Sequence, residues 1–263
     1  MSVFSKISAR VISALICISV LLPNMASAKD VPAIAAASSI KFALDDIAKQ
    51  FSQDTGKRVR ISYGSSGNFV AQIKHGAPFE LFLSADRRYT QQLEQAGFTQ
   101  GDGDIYALGK LVLAAPKNSP LQLDEQLNGV KALLASGKLS RFTIANPEHA
   151  PYGERARQVL QQLSLWQDIQ PQLIYGENVS QAAQFALSGS TQGGIVALSL
   201  ASAPRFKARA NYIEIPQQYY QPLAQKMVLT KKAGDTAKAF YSYLQSDAAQ
   251  AIFEQYGFGK GGN

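Results

Sequence analysis

Apolar residues recur along this chain with two alternating periods. Short apolar or β-branched runs stand at Val31–Ala37, Val59–Ser62, Leu81–Ser84, Lys110–Ala115 and Phe142–Ala145. Further runs follow at Leu173–Tyr175, Gly194–Ala197, Tyr212–Ile215 and Met227–Thr230. Each is short enough to be a buried strand. Between them, Ile40, Leu44, Ile47 and Phe51 repeat at helical spacing, as do Phe69, Val70 and Ile73, and Ala156, Val159, Leu160 and Leu163. Phe240, Leu244, Ala248 and Ile252 predict a helix near the C-terminus, and Gly259–Gly262 reads as a frayed tail. Strands separated by helices predict parallel βαβ units and an α/β class.

The first 28 residues follow a different logic. Lys6 and Arg10 precede an apolar run from Val11 to Leu22, and Ala26-Ser27-Ala28 supplies a small-x-small cleavage site. The run is shorter than the roughly 20 residues that span a bilayer. Residues 1–28 are therefore expected to be a signal peptide, cleaved after Ala28. The sole cysteine, Cys17, leaves with it, so no disulfide or thiol chemistry is expected. The formal charge of +7 becomes +5, because Lys6 and Arg10 go and all 19 acidic residues stay.

At 46% hydrophobic and 17% charged, the full chain has the composition of a folded globular protein. Its basic residues are spread without basic–aromatic clusters, which argues against nucleic acid. Two lobes suit 235 mature residues better than one sheet.

Candidate chemistry collects at four strand-to-helix turns. Ala35-Ala36-Ala37-Ser38-Ser39 and Tyr63-Gly64-Ser65-Ser66-Gly67 each carry a serine pair where a helix begins. Such a pair caps the helix or, with the free N–H groups of the first turn, binds an anion. Asn146–Gly153 and Gly176-Glu177-Asn178-Val179 open two more helices. Ligands of open α/β sheets bind beyond the carboxyl ends of the strands, where these turns lie.

Other chemistries find less support. His75 and His149 lack partners at metal-ligand spacing and read as surface or loop residues. Gly64-Ser65-Ser66-Gly67 is neither a nucleophile elbow nor a P-loop. Tyr219-Tyr220 suggests either ferric iron or packing at a hinge or rim.

The order and spacing of these stretches resemble the periplasmic molybdate-binding proteins of ABC importers, in the two-lobed type II binding-protein fold. The likeness runs from residue 31 to 258. It is carried by Ala35–Ser39, Tyr63–Gly67, Gly76-Ala77-Pro78 through Leu83–Asp86, Pro147–Gly153, Glu177-Asn178-Val179, Gly194-Ile195-Val196 and Tyr256-Gly257-Phe258.

The resemblance implies two lobes, 29–108 plus 222–263 and 109–221, each a mainly parallel sheet flanked by helices, with the ligand between them. It implies a tetrahedral dianion held by neutral donors, the hydroxyls and N–H groups of Ser39 and Ser66 and the N–H groups of Tyr152 and Val179. A tyrosine that completes the site in many members is Ala197 here, and Ser38 is expected to take its place. The expected protein is a monomeric periplasmic receptor for molybdate and tungstate. It would serve a membrane permease, with no catalytic residue, no cofactor, no metal ligated directly and binding flat from about pH 6 to 8. The alternatives are a receptor for sulfate, phosphate or ferric iron, or a secreted serine hydrolase using Ser66.

Overall fold

The computed structural model describes residues 31–261. The expected signal peptide and its cleavage site lie outside the described residues.

Three βα units come first: β1 (Ala33–Ala37) into α1 (Lys41–Thr55), β2 (Arg60–Gly64) into α2 (Ser66–Lys74), and β3 (Phe79–Ser84) into α3 (Arg87–Gln95). β4 (Asp104–Gly109) then runs almost directly into β5 (Leu111–Pro116). α4 (Asn128–Ala135), β6 (Phe142–Ala145), α5 (Pro151–Gln162) and α6 (Trp166–Ile169) follow. After them come β7 (Leu173–Gly176), α7 (Val179–Leu187), β8 (Gly193–Ala197), α8 (Leu198–Ala201), α9 (Pro204–Lys207) and β9 (Ala210–Glu214). β10 (Leu223–Leu229), α10 (Asp235–Leu244), α11 (Asp247–Gln255) and β11 (Gly259–Lys260) end the fold.

Two sheets result, ordered β11-β4-β10-β3-β1-β2 and β7-β6-β8-β5-β9. β1 is buried on both faces, as the middle strand of a covered sheet must be. Ile34 and Ala36 face Leu44, Phe51 and Phe240, while Ala33 and Ala35 face Phe69 and Phe82. The second sheet has its own core, built around Leu111, Phe142, Ile144, Val159 and Ile195.

The α/β class with two helix-flanked sheets is as the sequence predicts. By strand direction both sheets are mainly parallel, with β10 and β11 reversed in the first and β5 in the second, so the ladders are mixed. Parallel pairing is confined to β2-β1-β3 and β7-β6-β8, and the ladders of β4, β10, β5, β9 and β11 are antiparallel. The cause is the crossing between sheets. β4 and β5 are joined by Lys110 alone but belong to different sheets, and β9 and β10 likewise stand on either side of the return crossing. β5 and β10, which enter from the other sheet, are not fed through a βαβ crossover within their own sheet, and both pair antiparallel with their neighbours.

Two features of the C-terminal end also differ from the pattern. Gly259 and Lys260 are not frayed but pair with Leu108 and Ala107 of β4. Gln245 and Ser246 interrupt the helix expected through Phe240 and Ile252. The Ser246 hydroxyl accepts from Ala249 N–H and caps α11, so Ala249 and Phe253 become its buried positions and Ala248 is exposed.

Candidate functional site

Four helix beginnings meet at one small cavity between the two sheets. Two follow strands of the first sheet, the 3-10 turn Ser38–Ile40 that leads into α1 and the start of α2; two follow strands of the second, the starts of α5 and α7. The cavity measures about 10 Å³. Pockets for drug-sized organic ligands run to roughly 300–1,000 Å³, so this one suits a single compact ion. None of its twelve lining residues carries a formal charge.

All five residues expected from the sequence line this cavity: Ser38, Ser39, Ser66, Tyr152 and Val179. Their hydrogen bonding shows what is left to offer. Helix first turns leave N–H groups without intrahelical acceptors. Among the described residues, nothing accepts from the N–H of Ser39, Ser66, Tyr152 or Val179. Some neighbouring donors are taken. Asn178 caps α7 by accepting from Ser180 and Gln181, which leaves Val179 as the free donor of that turn. Pro151 at the start of α5 has no N–H, so Tyr152 supplies the helix's first donor.

The serines are not ordinary caps. Neither Ser39 nor Ser65 makes a side-chain capping bond. Ser39 Oγ is buried without a partner, a costly state for a hydroxyl unless a ligand uses it. Ser66 Oγ accepts from Ala85 N at 3.1 Å, and Ser38 Oγ accepts from Ser180 N at 3.2 Å. Each keeps its own hydrogen available. Four helix N-termini also aim their positive dipole ends at the same point, which favours negative charge there.

Tyr152 does more than contribute backbone. Its hydroxyl accepts from Gln225 Nε2 of β10 at 3.0 Å, tying α5 to the first sheet. Burial pushes the Tyr152 phenol up, so it stays protonated. Ala197 is buried at the end of β8 and does not line the cavity. From the turn after it, Ser199 Oγ donates to Ser39 O at 2.7 Å and braces that serine from behind. Tyr220, half of the tyrosine pair singled out in the sequence, uses its hydroxyl to accept from Leu111 N at 3.1 Å, which is packing at the crossing.

Other polar groups join the two sides, and the sequence pattern did not single them out. Asp86 caps α3 and is chelated by Arg88, whose guanidinium also grips Glu154 of α5 in a two-pronged bond at 2.6 and 3.0 Å. Asp86 also pairs with Arg155 of α5, and both side chains are only 2–3% exposed. A buried arginine reads in the sequence as another exposed helix position, and only the fold reveals its partner. His149, expected to be a surface or loop residue, is on a loop but partly buried, with its ring against Ser65.

Comparison with known proteins places this geometry in context. Residues 33–259 match the profile of the family described as bacterial extracellular solute-binding protein. The chain is 37% identical over 229 residues to the molybdate-binding protein ModA of Azotobacter vinelandii, an overlap of 86% of this chain and 88% of that one. It is 35% identical over 216 residues to ModA of Rhodobacter capsulatus, with 81% and 82% covered. The solved Azotobacter vinelandii periplasmic molybdate-binding protein superposes with a TM-score of 0.78 at 33% identity, covering 86% of this chain and 98% of that one.

Proposed function

This chain belongs to the bacterial extracellular solute-binding protein family, and from that premise we propose that it captures molybdate, and tungstate with it, for delivery to an ABC membrane permease. It does so as an exported periplasmic monomer, after removal of residues 1–28, and catalyses no reaction. Residues 29–108 plus 222–263 form one lobe and 109–221 the other, and the dianion is held where they meet. Ser39 and Ser66 donate hydroxyl and N–H from the first lobe; Tyr152 and Val179 donate N–H from the second. Ser38 donates the hydrogen it retains, in place of the tyrosine that Ala197 replaces.

One observation carries this reading. Four N–H groups with no acceptor among the described residues, together with the Ser39 hydroxyl that has no partner among them, surround an uncharged cavity of single-ion size. Neutral donors at helix N-termini suit a fully deprotonated oxyanion. Phosphate, which carries a proton, wants a carboxylate acceptor, and no acidic residue lines the cavity. Sulfate has the right charge and shape, so size is what discriminates against it.

Calorimetric titration with molybdate, tungstate, sulfate and phosphate tests the proposal. Molybdate and tungstate are expected to bind, and at about 100 times its Kd either should add about 2.7 kcal/mol to the unfolding free energy. Equal binding of sulfate would remove the size selection. Turnover of generic ester substrates would favour the hydrolase instead.

A further inference from the structure

Ser65 is the hydroxyl on the cavity wall whose hydrogen has another acceptor in reach. It is the N-cap residue of α2, yet its side chain caps nothing. Its Oγ lies 2.9 Å from His149 Nδ1. The ring is held there by its own backbone, since His149 O accepts from Gly67 N at 2.9 Å. Any side chain at Gly67 would crowd that carbonyl, because a Cβ would lie 2.8 Å from it.

The other ring nitrogen, Nε2, faces Glu177 Oε1 at 3.7 Å. Glu177 in turn accepts from Asn68 Nδ2 at 2.6 Å. Glu177 is thus the charged group that the β7–α7 turn presents to the ring. The α2 side presents Ser65, Gly67 and Asn68, none of them charged. Glu148, on the ring's own loop, is turned to Arg157 at 2.9 Å.

A neutral imidazole carries one N–H. Glu177 favours that hydrogen on Nε2, which leaves a lone pair on Nδ1. Ser65 must then donate to the ring, and its oxygen shows the cavity only lone pairs, the wrong polarity for an anion. A protonated imidazole donates from both nitrogens. Ser65 Oγ then accepts from Nδ1–H, and its own hydrogen is released towards the cavity.

We propose that Ser65 is a further anion-binding hydroxyl, and that the protonation state of His149 decides whether it donates to the anion or to the imidazole. The inference rests on the oxyanion reading of the cavity. By linkage, a bound anion draws a proton onto His149 just as the proton favours the anion. This replaces the flat pH dependence expected from the sequence.

The experiment is calorimetric titration with molybdate from about pH 5.5 to 8, the range in which an imidazole exchanges its proton, in two buffers of different ionisation enthalpy. The parent is expected to bind about tenfold or more tighter at the acid end, as one added hydrogen bond to a charged ligand would give, with uptake of up to one proton. Ser65→Ala is expected to lose this dependence, and so is His149→Gln, each checked by its melting curve. A parent that binds equally at all pH values overturns the inference and leaves the oxyanion reading standing. A chain that binds no molybdate at any pH overturns both. A folded Ser65→Ala that keeps the parent's slope overturns it too, because the imidazolium would then act as a charge alone. If Ser65→Ala does not fold, a slope that persists in His149→Gln does the same.

Discussion

Ser39 and Ser66 look equivalent in the sequence but differ in what else depends on them. Ser39 Oγ has no other partner, whereas Ser66 Oγ also accepts from Ala85 N. Each alanine variant should weaken molybdate binding by about 1.5–3 kcal/mol, roughly tenfold to over a hundredfold in Kd. Only Ser66→Ala should also lower the melting temperature of the ligand-free protein, since it orphans a buried N–H. Unchanged affinity in both variants, by calorimetry, would remove these serines from the site. Tyr152 makes the opposite point. Its proposed backbone role comes from the resemblance, but its side chain's bond to Gln225 joins residues 73 positions apart and leaves no local signature. Tyr152→Phe should strand Gln225 Nε2 and cost about 1–3 kcal/mol of stability, readable as a lowered midpoint in urea.

Helix beginnings, rather than individual side chains, make most of the site, and they are what a sequence states most plainly. Serine pairs after apolar runs, Pro151 at a first helical position and Asn178 before Val179 all mark N-termini through local chemistry. Some of the elements that sequence pattern missed are set by distant partners. β4 merges with β5 into one apolar stretch, and β11 exists only because β4 offers it an edge. The break between α10 and α11 was hidden because Ala248 continues the apolar spacing although the fold buries Ala249. At α7 the element itself can be tested. Asn178 is extended, at φ −149° and ψ 172°, a conformation that tolerates a following proline. Val179→Pro therefore removes the free N–H while suiting a helix's first position. It should bind molybdate at least about tenfold more weakly, whereas Val179→Ala should bind nearly as the parent does. Circular dichroism must show both folded. Parental affinity in a folded Val179→Pro would mean that no N–H at that position touches the anion.

Across the whole molecule, α3 and its cap are tied to α5 by the Asp86–Arg155 pair and by Arg88 on Glu154. Buried pairs gain little net energy, but removing one partner is costly; without Arg155, Asp86 keeps Arg88, so the cost stays below the about 3–5 kcal/mol of a fully stranded charge. If ligand binding closes the cleft, that cost falls on the closed form. Arg155→Met should thus weaken molybdate binding by more than about tenfold and leave the ligand-free melting curve less affected. Combining it with Asp86→Asn, which keeps the cap on α3, should recover part of the loss; no recovery would mean that the two charges are not coupled. The crossing between the sheets holds a narrower tolerance. A Cβ at Gly109 would lie 2.3 Å from the Tyr152 hydroxyl and 2.7 Å from Gln225 Nε2. The missing methyl is therefore clearance, as at the knuckle of a pair of tongs. Gly109→Ala is expected to act as a doorstop there, wedged against the Tyr152 hydroxyl. It should leave every anion donor chemically intact yet yield a receptor held ajar, with a larger radius of gyration in X-ray scattering that molybdate no longer reduces.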